Sequence, residues 1–181
     1  MNFTVWLRAF REEDAVLVNK LRYGSEMEKL IGGSKRFVSL AKDREWVKAL
    51  SLANNTDPIY LAICDKKSDA IGYTSISNVD FRVGTCFWSG IKIDSHLAGK
   101  GLGFEAELLI LKYCFEELRM VRVSAQGLEE HEVAIKFMEK AGFKKEGLMR
   151  KYVYKDGKHH NVWLFSITDD DYKEIKEKYE L

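Results

Sequence analysis

The stretch Ile91-Lys92-Ile93-Asp94, followed shortly by Ala98-Gly99-Lys100-Gly101-Leu102-Gly103-Phe104-Glu105-Ala106, decides how the rest of the chain is read. A strand ends, glycines on alternate positions make a turn, and the apolar run from Phe104 to Leu118 reads as a helix packed inside a domain. Such a turn leaves main-chain N–H groups pointing at the gap with the helix dipole behind them, which suits a phosphate. Glycines let the main chain approach an anion without a Cβ in the way, and Lys100 adds a cation. A left-handed glycine turn that merely links two core elements fits the same residues. The run lacks the Gly-Lys-Ser/Thr ending of a P-loop, and its third glycine falls one place early for a dinucleotide fingerprint. Nucleotide hydrolysis and hydride transfer are therefore not favoured.

Working outward, Val5 to Phe10 alternates as a short strand would, and Arg11-Glu12-Glu13-Asp14 opens a helical pattern through Leu17, Val18 and Leu21. Ser25 with Glu28 offers a capping box for a second short helix, Gly32-Gly33 ends that pattern, and Ser39 can cap a further helix. Beyond Pro58 the pattern predicts strands at Ile59–Cys64, Ile71–Ile76 and Cys86–Asp94. After the glycine turn and its helix come a strand over Val121–Gln126 and a helix over Val133–Ala141, ended by Gly142. Phe143–Val153 and Val162–Ile167 flank the hairpin turn Lys155-Asp156-Gly157-Lys158, and Thr168 with Asp171 caps a charged terminal helix. This order is that of one mixed α/β (α+β) domain over residues 1–181.

With 29 Lys and Arg against 28 Asp and Glu, the net charge of +1 supplies no global field for nucleic acid or an anionic membrane. Cys64, Cys86 and Cys114 are odd in number, widely spaced and set in apolar runs, which matches core thiols in a reducing compartment better than disulfides or zinc. The N-terminal residues carry no signal-peptide core, and no stretch approaches the roughly 20 apolar residues of a membrane span. The expectation is a cytoplasmic protein, monomer or homodimer, with no membrane, nucleic-acid or metal partner.

Four segments in register carry a resemblance over nearly the whole chain. They are Ile93-Asp94 with Ala98 to Ala106, Ala125-Gln126-Gly127-Leu128-Glu129-Glu130-His131 through Phe143, Lys145-Glu146-Gly147-Leu148-Met149-Arg150, and Asp156-Gly157-Lys158-His159-His160-Asn161-Val162; Leu7-Arg8-Ala9-Phe10 joins them near the start. Together they resemble the GNAT family of N-acetyltransferases, in the branch that includes ribosomal-protein N-terminal, polyamine and amino-sugar acetyltransferases. The resemblance implies a strongly twisted mixed β-sheet flanked by helices, with acetyl-CoA as co-substrate. Its pyrophosphate would lie on Ala98, Gly99, Lys100, Gly101, Leu102, Gly103 and Phe104. Pantetheine would enter a split in the sheet and bond main chain near Gly90 to Ile93, with Ile91 and Ile93 as contacts. A positioned amine then attacks the thioester directly, a base takes its proton, and the leaving thiolate needs a donor.

The sequence departs from the family at instructive places. Ala98 stands where Gln or Arg is common, Trp88 where a Glu is frequent, His131 where an Asn often begins the next segment, and Met138 where a Tyr often donates to the leaving sulfur. A thioether cannot donate a proton. Glu130 and His131 are the candidate catalytic groups for the base, His131 is also a candidate cofactor contact, and Tyr152 or Tyr154 could serve the thiolate. Alternatively the chain binds CoA with little catalysis. Glu129, Glu130 and Glu132 also read as the acidic first turn of a helix. Trp88 reads as a wall of the acceptor pocket or as core, Trp6, Trp46 and Trp163 as core, and His159 and His160 as facing water. By resemblance, Tyr23–Val38 and Arg150–Asn161 set the acceptor, and Lys29, Lys35, Arg36, Arg150, Lys151, Lys155 and Lys158 make both segments basic. That disfavours a polyamine, which prefers carboxylates. The acceptor expected is a primary amine of a small molecule such as an amino sugar, with a protein N-terminus or a polyamine as alternatives.

Overall fold

The computed structural model describes residues 2–23, 36–67 and 69–181. The Ser25–Glu28 capping box, Gly32-Gly33, Lys29 and Lys35 lie outside them. In chain order the described residues form β1 (Trp6–Arg8), a 3₁₀ turn (Glu12–Asp14), α1 (Ala15–Arg22), α2 (Leu40–Leu52), β2 (Ile59–Cys64), β3 (Ala70–Asp80) and β4 (Thr85–Ile93). Then come α3 (Leu102–Lys112), a π-turn (Tyr113–Glu117), β5 (Arg122–Leu128), α4 (Glu132–Lys140), β6 (Lys144–Lys155), β7 (Lys158–Thr168) and α5 (Asp169–Tyr179).

Local chemistry sets many of these boundaries. The Ser39 hydroxyl accepts from the Lys42 N–H to start α2, and Thr168 and Asp171 cap α5 reciprocally. Gly142, at φ +96°, ends α4, and Asp156 and Gly157, both at positive φ, make the tight turn between β6 and β7. One helix differs from the sequence pattern at both ends. The interior helix begins at Leu102, so Leu102 and Gly103 belong to its first turn. It widens at Tyr113–Glu117, seating Cys114 against Cys86 and stacking Phe115 on Tyr172 with centroids 4.7 Å apart.

The strands form one mixed sheet in the order β1-β2-β3-β4-β5-β7-β6. Every pairing is antiparallel except β4 with β5, which are parallel and joined through α3. Period-two alternation sorts the core. Ala62, Cys64 and Tyr73 pack with Ala15, Val18, Leu21 and Val47 under α1 and α2, whereas Ile63 faces the opposite side with Ala106 of α3. The largest cluster joins α3, α4 and α5 to the sheet through Leu108, Ile135, Met138, Ile175, Ile76 and Phe165. Trp6 is not core as expected. On the edge strand β1 the alternation turns Leu7 inward, leaving Trp6 40% exposed with its indole N–H on the Asp65 carbonyl.

The feature that positions the site is the end of the β4–β5 pairing. Thr85, Cys86 and Phe87 pair with Arg122, Val123 and Ser124. Beyond these, β4 continues to Ile93 against β3 alone, and β5 continues to Leu128 against β7 alone. The sheet therefore opens into the split that the family resemblance implied.

Candidate active site

From Trp88 to Ile93 the open wall of β4 runs for roughly 16 Å at about 3.3 Å per residue. The glycine turn lies at the mouth of the split. Gly99 and Gly101 sit at φ +78° and +79°, and a Cβ on either would meet nothing, so conformation rather than space requires glycine there. Gly101 caps α3, whose first-turn N–H groups have no helical acceptors, the geometry that an anion cradle requires. Ala98 and Lys100 are exposed beside it. Phe104 can offer only main chain, because its ring is buried edge-on to Phe137 and Tyr179. Behind the turn, Asp94 accepts from the His96 N–H and pairs with Lys20 of α1, and the Lys20 hydrogen bond holds its carboxyl below the usual range.

Halfway along this wall β4 bulges. Thr74 pairs with Ile91 and Ile76 with Trp88, so Ser89 and Gly90 together oppose one residue, with Gly90 at φ +82°. The extra residue reverses the alternation: Ile91 and Ile93 point with Gly72 toward the α3 side, while Lys92 points with Tyr73 toward α1 and α2. A buried relay fixes the bulge. The Trp88 indole N–H donates to the Thr74 hydroxyl at 2.9 Å, which donates to the Gly90 carbonyl at 2.9 Å. Trp88 is 4% exposed and stacks on Phe143, so of the two roles read from the sequence the structure gives it the core one. It reaches the pocket only through Thr74.

On the α1–α2 side the bulge opens into a cavity of about 370 Å³ lined by Arg22, Arg36, Trp46, Tyr60, Tyr73, Thr74, Ser75, Ser89, Gly90 and Lys92. Trp46 and Tyr60 meet edge to face at 5.1 Å, and the Arg22 guanidinium lies 5.5 Å from the Trp46 ring. Burial pushes the Tyr73 hydroxyl up to about 12. Burial, with Arg22 nearby, pulls the Lys92 ammonium down; its Nζ lies 5.3 Å from the Tyr73 ring centre. Among the described residues the lining contains neither a carboxylate nor an imidazole.

The groups expected to act as base lie elsewhere, beyond the far end of β5. Glu130 is half exposed and engages His160 Nδ1 at 2.9 Å. Burial raises the Glu130 carboxyl, but the His160 bond and the nearby Lys158 charge outweigh it, so the group lies below the ordinary range. His160 is thus largely covered rather than water-facing, because Glu130 and the Lys155 carbonyl take its two ring nitrogens. His131 caps α4: its Nδ1 accepts from the Ala134 N–H at 3.4 Å, which assigns the ring proton to Nε2, and burial lowers its pKa. Met138 is buried, with its Sδ-methyl filling the space a Cβ on Gly127 would need, so no proton donor stands there. Tyr152 and Tyr154 are exposed on β6.

Among the described residues of the two acceptor segments, Arg36 lines the cavity and no residue of Arg150–Asn161 does. Sequence reading missed Arg22, Trp46, Tyr60, Tyr73 and Lys92 as a group, because they come from separate elements and meet only in the fold. One signal was available: Lys92 interrupts an otherwise apolar strand end between two isoleucines.

Comparison with known proteins agrees with this fold. The family model described as an acetyltransferase (GNAT) domain matches residues 4–144, and the chain belongs to that family. It is an acetyl-CoA-dependent N-acetyltransferase. Among curated relatives it is 25% identical over 167 residues to the SPbeta prophage-derived uncharacterized N-acetyltransferase YokL of Bacillus subtilis, covering 92% of this chain and 91% of that one. It is 26% identical over 106 residues to the ribosomal protein uS5-alanine N-acetyltransferase of Escherichia coli, covering 59% and 55%. The fold matches spermidine N-acetyltransferase from Vibrio cholerae, solved with CoA and spermine, with a TM-score of 0.84 at 18% identity over 94% of this chain and 98% of that one. No helix among the described residues is long and apolar enough to cross a membrane.

Proposed function

We propose that the enzyme acetylates the primary amine of a small molecule, with an amino sugar as the best-fitting chemistry, and that it works in the cytoplasm. The observation that carries this reading is the cavity's position: Gly90 belongs both to its lining and to the strand wall assigned to pantetheine. An amine held there meets a thioester lying along β4 without crossing the sheet. The aromatic walls of Trp46, Tyr60 and Tyr73 suit the apolar faces of a sugar ring, and Ser75 and Ser89 bring hydroxyls for its polar edge. Three free, buried cysteines support a reducing compartment.

In this reading Gly99, Gly101 and the first turn of α3 hold the pyrophosphate, and the β4 main chain from Gly90 to Ile93 aligns the pantetheine arm. His131 supports that arm as an Nε2–H donor rather than acting as base, since protonation at Nδ1 would cost α4 its cap. The amine nitrogen forms its bond to the acetyl carbon as the carbon–sulfur bond breaks. The ammonium proton passes to water at the open rim, and the thiolate is protonated from solvent.

The test is a thiol-release assay with glucosamine, spermidine and a peptide bearing an N-terminal alanine. Turnover of the sugar above the other two is expected. Preference for the peptide would instead favour the activity named for the uS5 relative, and preference for spermidine that of the structural neighbour.

A further inference from the structure

We propose that the acceptor pocket also binds an anionic group of its substrate, so that the amine presented at the bulge belongs to a phosphorylated amino sugar. This rests on the small-molecule reading above and names its substrate class. Arg22, Arg36 and Lys92 line one cavity. The carboxylate beside them, Asp43, is fully buried and already spent: it accepts from Arg22 Nε at 2.8 and 3.1 Å and from Asn19 Nδ2 at 2.9 Å. Among the described residues neither Arg36 nor Lys92 has an ion-pair partner.

The chemistry of these groups favours phosphate. Among the described residues the partly buried Lys92 ammonium has the Tyr73 face but no ion-paired carboxylate, and an anion in the cavity supplies that partner. Arg22 is preorganised for that role: Asp43 holds its Nε edge and Trp46 lies against it at 5.5 Å, leaving its terminal nitrogens outside the Asp43 pair. A guanidinium fork suits the oxygens of a phosphate. A polycationic amine would enter against the same charges. The cavity of about 370 Å³ takes a hexosamine and one phosphate, with exposed Arg36 at its edge.

The experiment compares glucosamine, glucosamine 6-phosphate, glucosamine 1-phosphate and UDP-glucosamine. Each is assayed by thiol release and titrated calorimetrically into the CoA-loaded protein. The proposal predicts that a phosphorylated sugar exceeds glucosamine by at least about tenfold in kcat/KM or affinity. Which phosphorylated compound leads identifies the source as a monoester or a nucleotide. Arg36→Gln and Lys92→Gln should each bring the ratio of phosphorylated to neutral sugar, in kcat/KM and in affinity, most of the way to one while leaving CoA affinity intact, and an unchanged ratio in both variants overturns the proposal. Arg36 is exposed, so its variant retains the fold. Equal affinity for neutral and phosphorylated sugars, or tighter spermidine binding, overturns the anion claim while a small-molecule acceptor stands. Acetylation of the peptide with no binding of any sugar overturns both.

Discussion

The two halves of the proposed active site are built in opposite ways. The proposed cofactor side is nearly contiguous in sequence and offers main chain: Gly90 to Ile93, the left-handed Gly99 and Gly101, and the first turn of α3. The acceptor side is a set of side chains gathered from α1, α2, β2, β3, β4 and the Arg36 segment. Main-chain recognition tolerates Ala98 where the family carries a longer side chain, because the N–H groups remain. A pocket made of side chains has no such protection, and its chemistry can change while the fold stays fixed. That is how a chain can match a spermidine acetyltransferase at a TM-score of 0.84 and yet surround its own cavity with cations.

The sharpest way to break this division is at the residue both halves share. Gly90→Val forces a β-branched side chain into φ +82°, a strain of about 1–3 kcal/mol or a shifted bulge. It should lower kcat/KM for either substrate by at least about a hundredfold, measured in steady-state kinetics with each substrate varied in turn. A loss confined to one substrate would show that the bulge serves only one half.

Trp88→Phe keeps the stack on Phe143 but deletes the donor to Thr74, and should reduce kcat by about tenfold with about 1–2 kcal/mol of stability lost. Thr74→Val should do the same, and the double variant should be no worse than either single one, because all three cut one relay.

A smaller effect is expected at Glu107 of α3, which is completely buried with both oxygens unpartnered; burial drives its carboxyl well above the ordinary value. A folded-state pKa above the unfolded one makes its contribution full at acid pH and progressively lost as pH rises. Glu107→Met should therefore raise stability by about 1–3 kcal/mol near pH 8 and much less near pH 4, read from urea melts at both. The smallest effect belongs to Glu130→Gln. It should change kcat/KM by less than about twofold and leave the pH–rate profile in place, whereas a large fall in kcat/KM with loss of the acidic limb would return the base role to Glu130.

The turns and caps that shape the contiguous half were legible in the sequence and the dispersed pocket was not, for a physical reason. Glycines at Gly99 and Gly101, caps at Ser39 and Thr168, and the Asp156-Gly157 turn act within a few residues, so their consequences can be read locally. The pocket depends on the β4 bulge, which reverses the alternation after Trp88 and sends Lys92, rather than its neighbours, into the cavity. Nothing local marks that extra residue except Gly90 itself. The same limit applies to Glu130 and His131, whose place in the family-like segment suggested chemistry and whose partners in the fold, His160 and the Ala134 N–H, tether one and make the other a cap.

Calorimetric titration of CoA into Gly101→Val and Lys92→Gln tests the division most directly. Gly101→Val should weaken CoA binding by at least about tenfold through strain at φ +79°, and Lys92→Gln should leave it within about twofold of the parent. Parent-like binding by Gly101→Val, or a comparable loss in Lys92→Gln, would contradict it.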